Sequence, residues 1–301
     1  MKSTLRRKTN LIFDKKNLID CLYRPFHKMI YYSDKKLSDR LTLYHTAIFG
    51  KGFTDKNLVI SFSGTSSSKP FSTLSTDKIF SLDFLEKTQC LPLYRYDKNG
   101  TRIENITDWG LQQFVNQYND NGACPIAKQD IFHYVYAVLH NPAYRKKYEL
   151  NLKREFPRIP FYDNFHQWAK WGEKLMNLHV NYEKVEPFQL KIKNYELKED
   201  AVPKVKLKAD KKAGIIILDD QTELHDIPAV AWNYKLGNRS ALEWILDQYQ
   251  ERKPQDQTIA EQFDTYRFAD YKEEVIDLLQ RVCTVSIETI KIMAEMERCS
   301  L

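Results

Sequence analysis

Glycine is scarce in this chain, nine residues in 301, and the scarcity excludes several chemistries together. No GxxxxGK[ST] run is present to cradle nucleotide phosphates. Gly50-Lys51-Gly52 has no third glycine in register, so the Gly-rich turn that usually seats a sulfonium or dinucleotide cofactor is missing. Gly64-Thr65-Ser66 lacks the second glycine of a GxSxG nucleophile elbow. Cysteines are few as well. The five (Cys21, Cys90, Cys124, Cys283, Cys299) are odd in number, scattered and without a CxxC pair. They read as free thiols in a reducing cytoplasm, not as a disulfide framework or a zinc site. The seven histidines offer no HExxH spacing, and His133 and His140 read as core or surface partners, so no metal is expected. Long apolar runs are also lacking. Residues 214–218 form one of the longest, far too short to span a bilayer. The start, MKSTLRRKTNLIF, is basic without an apolar stretch of signal-peptide length, which predicts no secretion.

What is present is a globular composition, 43% hydrophobic and 29% charged, enough to bury a core. The net charge is +6 and uneven. Residues 241–301 carry 7 Lys/Arg against 13 Asp/Glu, which leaves +12 on the first 240. A basic body with an acidic end region suits a polyanion held by the body.

The patterning predicts an α+β chain in the order β-rich, helical, β, helical. Residues 17–99 are rich in Tyr, Phe, Ser and Thr, with a strand expected over 58–62 and a polar loop over 64–70. A looped connection is expected over 95–108, and helical signals begin near Thr107. Asp130 is placed to cap a helix through Ile131, Val135 and Leu139, and Asp163 to cap one carrying Phe165, Trp168, Gly172, Leu175 and His179 on one side. Pro157 and Pro160 between them enforce an extended turn. Strand patterns return over 184–235, and Ser240-Ala241-Leu242-Glu243 is a capping box. Two further helices are expected near 270–281 and 284–297. The chain thereby divides into three parts of one composite domain: 1–106, 107–183 and 184–301.

Asn141-Pro142-Ala143-Tyr144 resembles the Asn-Pro-Pro-Tyr loop of amino-methyltransferases, but alanine replaces the second proline. Asn-Pro is a good N-cap and N1 pair, so the tetrapeptide reads as helix punctuation. Glu196-Leu197-Lys198 has the Glu-x-Lys form of nuclease sites, a match expected by chance in so charged a chain. The basic features carry more. Arg145, Lys146, Lys147, Lys153 and Arg154 are expected on one amphipathic helix with Arg158 just beyond, a spacing suited to phosphate contacts.

Several stretches in order, among them RPFHKMIYY (24–32), SGTSSSKPFSTLSTDKI (63–79), DIFHYVYAVLHNPAYRKKYELNLKREFPRIPF (130–161) and AWNYKLGNRSALEWILDQY (231–249), resemble the C-terminal target-recognition (specificity) domain of type ISP restriction-modification enzymes. Those proteins join a nuclease, an ATP-driven translocase, an adenine methyltransferase and this domain. The resemblance implies a phage-defence domain that reads duplex DNA. Its base-reading residues are expected in 63–72, with Thr65, Ser66, Ser67, Ser68, Lys69 and Ser72 as candidates and Arg24 and Arg40 nearby. Partners are double-stranded DNA and the methyltransferase, helicase and nuclease modules of the same or an adjacent polypeptide, with no membrane. No catalytic residue and no cofactor are expected in this chain, since S-adenosylmethionine, ATP and Mg belong to the other modules. The acidic 241–301 segment is expected to pack on the methyltransferase. Two alternatives stay open at this point: a degenerate or partial DNA methyltransferase, and a protein-docking module.

Overall fold

A computed structural model describes residues 12–34, 36–38, 43–118, 125–196, 202–252, 254–263 and 266–299. Arg40 and Cys124 lie outside them. The fold is α+β, divided into two compact units: one built on the chain up to Val180 together with its end from Glu295, the other on Asn181–Ala294.

The described residues of the first unit form three small sheets. Strand β1 (Leu18–Arg24) pairs antiparallel with β2 (His27–Tyr32) and parallel with β5 (Ile79–Phe80). Strand β3 (Val59–Phe62) lies between β4 (Thr73–Thr76) and β6 (Gln89–Pro92), antiparallel to both. Every residue of β3 and β4 is buried although half of them are Ser or Thr. Two of their hydroxyls turn to the ladder, Thr73 Oγ1 donating to Ser61 O (2.8 Å) and Ser75 Oγ to Val59 O (3.1 Å), while Thr76 Oγ1 accepts from Lys78 N (3.0 Å) and the Ser61 hydroxyl is buried without a hydrogen-bond partner among the described residues. Each such bond offsets part of the cost of burying a hydroxyl. The expected loop over 95–108 contains a hairpin, β7 (Tyr94–Tyr96) with β8 (Arg102–Glu104). Asp97 Oδ1 accepts from Asn99 N and Thr101 N at its turn, and Gly100 takes φ +87°. Its charged strands, exposed at most positions, show no apolar alternation, which is why pattern reading passes over it. A short helix, α1 (Leu43–Phe49), also interrupts a region expected to be strands and loops.

The helical core begins with α2 (Asp108–Gln117), close to where helical signals are expected, and the structure shows Thr107 as its N-cap. Helix α3 (Lys128–His140) is buried on nearly all sides from Ile131 to His140. Asp130 is not its N-cap. It lies at N3 and its carboxylate accepts from Ala127 N (2.9 Å). Asn141 and Pro142 then start α4 (Pro142–Lys147), with Asn141 Oδ1 accepting from Ala143 N (2.9 Å). The expected single helix over 145–154 breaks at Tyr148 (φ −109°, ψ 21°), giving α4 and the one-turn α5 (Glu149–Leu152). Helix α6 (Phe165–Val180) buries the predicted face plus Ala169, Trp171 and Met176. Its cap is Asn164 at φ +58°, not Asp163, with Asn164 Oδ1 accepting from Gln167 N (3.3 Å). Asparagine enters the left-handed region more readily than other non-glycine residues.

Helix α3 packs along α6 and is anchored to β4. Tyr136 Oη accepts from Ser75 N (2.8 Å) and lies 2.6 Å from His179 Nδ1. Burial, and next the Arg145 charge, lower the His179 pKa from 6.5 to about 3. His140, fully enclosed, is lowered for the same first cause. A neutral imidazole buried in the fold takes up its proton only on unfolding. The stabilisation it contributes is complete above pH 6.5 and declines as pH falls toward the folded-state value. For His179 alone this predicts a loss of about 2 kcal/mol between pH 7 and pH 5, to be read from denaturant midpoints. A flat profile over that window would mean these rings are hydrated.

In the second unit, β10 (Val205–Asp210), β11 (Ile215–Asp219), β12 (Thr222–His225) and β9 (Lys191–Asn194) form an antiparallel sheet in the order β10-β11-β12-β9. Strands β13 (Lys235–Leu236) and β14 (Arg239–Ser240) make a small ribbon that feeds α7 (Ala241–Gln248). The capping box is as expected, with Glu243 N donating to Ser240 Oγ (3.3 Å) and Ser240 N to Glu243 Oε2 (2.8 Å). After α8 (Gln257–Phe263), one continuous helix, α9 (Lys272–Cys299), replaces the two expected. The apparent break at Thr284 and Ser286 is bridged, since Ser286 Oγ donates back to Val282 O (2.7 Å) and Thr284 Oγ1 to Glu186 O (2.8 Å). A nearly buried ion pair joins Lys272 to Asp219 (2.8 Å), whose other oxygen accepts from Gln221 N and Thr222 N.

Candidate nucleic-acid interface

The β3–β4 connection carries the predicted reading residues. Ser63 and Ser72 close its base, with Ser63 N donating to Ser72 O (2.9 Å) and Ser72 N to Ser63 Oγ (3.0 Å). Ser72 is 1% exposed, so it belongs to the strand pair and leaves the set of surface candidates. Above that base the loop stands on a second turn over 81–88. Gly64 N donates to Glu86 O (3.1 Å), and a Cβ on Gly64 would fall 2.0 Å from Lys87 O, so only glycine permits this approach.

Glu86 organises the loop beyond Gly64. Its carboxylate accepts from the Ser67 hydroxyl, from Ser68 Oγ (2.9 Å) and from Lys69 N (3.3 Å). These bonds, Ser67 first, hold the carboxyl below its usual range. Glu86 and Lys87 both take positive φ (72° and 50°), a cost of about 1–3 kcal/mol each that surrounding contacts must offset. Lys87 Nζ donates to Ser66 O (2.9 Å). Ser66 itself has φ +63° and an exposed side chain. Arg24 does not reach the loop directly. Its guanidinium donates to Asp83 O, so it braces the second turn.

The cationic segment meets the same loop. Ser66 N donates to Lys153 O (2.8 Å), and Phe62 packs on Phe71 (6.2 Å) and edge-on to Phe156 (5.5 Å). The six predicted phosphate contacts then separate into two kinds. Arg145 turns inward, with Nε donating to Leu139 O (2.6 Å) and its guanidinium over the Phe71 ring (5.7 Å). Lys153 pairs with Glu149 (2.8 Å) and Arg158 with Glu155 (2.7 Å). Lys146, Lys147 and Arg154 remain exposed and outside any ion pair among the described residues.

Beyond α5 the chain runs extended, and its carbonyls are taken in alternation by three tyrosines. Tyr144 Oη donates to Arg158 O (2.9 Å), Tyr134 Oη to Pro160 O (2.7 Å) and Tyr118 Oη to Tyr162 O (2.6 Å). The prolines remove two donors from this stretch, and the tyrosines satisfy its acceptors. Burial raises the Tyr144 pKa to about 12 and pushes the other two upward, so all three stay protonated donors. Asn141 is fully buried and Tyr144 1% exposed, so the tetrapeptide 141–144 is structural and forms no open catalytic loop. Sequence reading missed Glu86, Lys87 and the tyrosine ladder. DFLEK carries no periodicity or motif, and the ladder joins residues distant in sequence.

Among the described residues no helix is long and apolar enough to cross a membrane, and no group of three or more His, Cys, Asp or Glu could hold a metal ion. Fold and surface together define the class: an α+β module presenting a polar loop, braced from behind, beside a cationic segment. The family model of the Type ISP C-terminal specificity domain matches residues 1–278, and the chain belongs to that family. It is similar to part of a DrdV–DNA complex determined by cryo-electron microscopy, at 49% identity and TM-score 0.91, covering 97% of this chain and 30% of that one. It is similar also to a nuclease-deletion mutant of the Type ISP restriction-modification enzyme LlaGI in complex with a DNA substrate mimic (28%, 0.75, 96% and 26%). A third relative is the ATP-dependent Type ISP restriction-modification enzyme LlaBIII bound to DNA (27%, 0.78, 98% and 19%). The chain thus spans less than a third of the length of each of these. No curated protein matches it.

Proposed function

We propose that this domain reads a short sequence in duplex DNA and holds it for an adenine methyltransferase carried elsewhere in the same or an adjacent polypeptide. S-adenosylmethionine, ATP and Mg serve those other modules, and nuclease and helicase act on the DNA this domain has selected. The observation that carries the reading is the bond from Ser66 N to Lys153 O, which seats the polar loop against the cationic segment. The solved relatives in complex with DNA support it. Exposed cations on 146–154 meet phosphates and set register, while Thr65, Ser66 and Lys69 approach base edges. Ser67 and Ser68 shape the loop. The acidic residues of 241–301 suit a protein contact, because they repel phosphates.

The roles separate experimentally. Lys69→Ala removes a base contact, so it should change which sequences are preferred, with about 1–3 kcal/mol of discrimination lost at one position. Lys147→Ala should weaken all duplexes alike and lower the salt slope by about one. Binding titrations at several salt concentrations, on selected and random duplexes, read both. Uniform weakening by both variants would contradict the division of roles.

A further inference from the structure

We propose that Glu86 is the positioning residue of the reading loop: it sets residues 67–69 for the bases without itself touching DNA. The inference rests on the reading of that loop as the base-contacting element and goes beyond it by assigning selectivity to a second, sequence-distant turn.

Both carboxylate oxygens are already engaged. Oε1 takes the Ser68 hydroxyl, and Oε2 takes the Ser67 hydroxyl and Lys69 N. The Ser67 and Ser68 protons are thereby committed, which gives these two hydroxyls the shaping of the loop. The turn that holds Glu86 is itself anchored. Phe84 and Leu85 are buried, Leu85 N donates to Thr88 Oγ1 (2.8 Å), and Thr88 N donates to Leu82 O (2.8 Å). Ser81 is tied to β1 through Leu22 O (2.9 Å) and Tyr23 O (2.7 Å), and Arg24 reaches back to Asp83 O. The loop therefore inherits its geometry from a scaffold, as a preorganised site must.

The chemistry distinguishes positioning from direct reading. Lys69 N is a donor only, so in Glu86→Gln the amide oxygen takes the Oε2 place. The amide nitrogen then faces the Ser68 hydroxyl, which can rotate to accept. Glutamine thus preserves the loop, whereas alanine removes all three bonds. A carboxylate that read a cytosine amino group would instead change preference when converted to an amide.

The test selects bound duplexes from a randomised pool with the full chain, then measures the affinity ratio of selected to unselected duplex. Glu86→Gln should enrich the same sequence as the unsubstituted protein, with the ratio held within about threefold. Glu86→Ala should lower the ratio by about tenfold or more, with affinity for unselected duplex not reduced. Ser67→Ala with Ser68→Ala cuts the hydroxyl bonds from the other side and should act in the same direction, which carries the test if Glu86→Ala does not fold. A new preferred base in Glu86→Gln, or an unchanged ratio in the alanine variants, would overturn the proposal. If the unsubstituted protein enriches no sequence, the reading of the loop itself fails, before any variant is compared.

Discussion

Replacing Lys146, Lys147 and Arg154 together by alanine is expected to lower affinity for duplex DNA of any sequence by about two to three orders of magnitude at 0.1 M salt. Each contacted phosphate contributes close to 0.9 to the slope of log affinity against log salt, so three contacts lower the slope by nearly three units. These cations are chosen because they are exposed and outside ion pairs among the described residues, whereas Lys153 and Arg158 are paired and Arg145 serves the core. The stability of the triple variant should stay close to that of the parent, since surface changes of this kind stay within about 0.5 kcal/mol. Fluorescence anisotropy on random duplexes between 50 and 300 mM salt, bracketing roughly the physiological range, measures the slope directly. A fall confined to one sequence would move these residues from backbone contact to base reading.

Gly172→Ala should destabilise the first unit by about 3 kcal/mol or more, although the same change in an open helix stabilises by about 1 kcal/mol. The sign follows from geometry. A Cβ at Gly172 would lie 1.8 Å from His133 O and 2.5 Å from its carbonyl carbon, both backbone atoms of α3. No rotamer relieves that contact, so α3 and α6 must separate. Separation strains the Tyr136–His179 bond and the anchor to Ser75 between them. For a unit of this size the melting midpoint should drop by roughly 6–12 °C. A midpoint that rose would show that the helices do not meet at this glycine.

How much of the structure was legible in the sequence varies with the range of the interactions that decide each element. Caps that act within a turn were readable: Asn141 with Pro142 and the Ser240–Glu243 box both sit where local chemistry places them. So was the buried face of α6. Where two neighbouring residues compete for one role, local reading chose wrongly, as with Asp163 against Asn164 and Asp130 at N3 instead of N-cap. Elements held by distant partners were not legible. The hairpin β7–β8 lacks apolar alternation, and α9 runs on through Thr284 and Ser286 because remote or backward hydrogen bonds absorb their hydroxyls. The candidate interface shows the same division. The family resemblance pointed to 63–72 and charge spacing to the basic residues of 145–158, but which of these side chains have internal partners is decided by Glu86, Leu139, Glu149 and Glu155. None of these four announces that role in the sequence.

The most direct test of the whole account is site-specific photocrosslinking from position 66. That residue is exposed, lies within the loop and is bonded through its backbone to Lys153. With p-benzoylphenylalanine at 66 and again at 146, the full protein is irradiated on a duplex enriched from a random pool. Crosslinks are expected from 66 to bases inside the enriched sequence, and from 146 to the sugar-phosphate backbone at its flank. Crosslinks from 66 to protein alone, with DNA captured elsewhere on the chain, would contradict it.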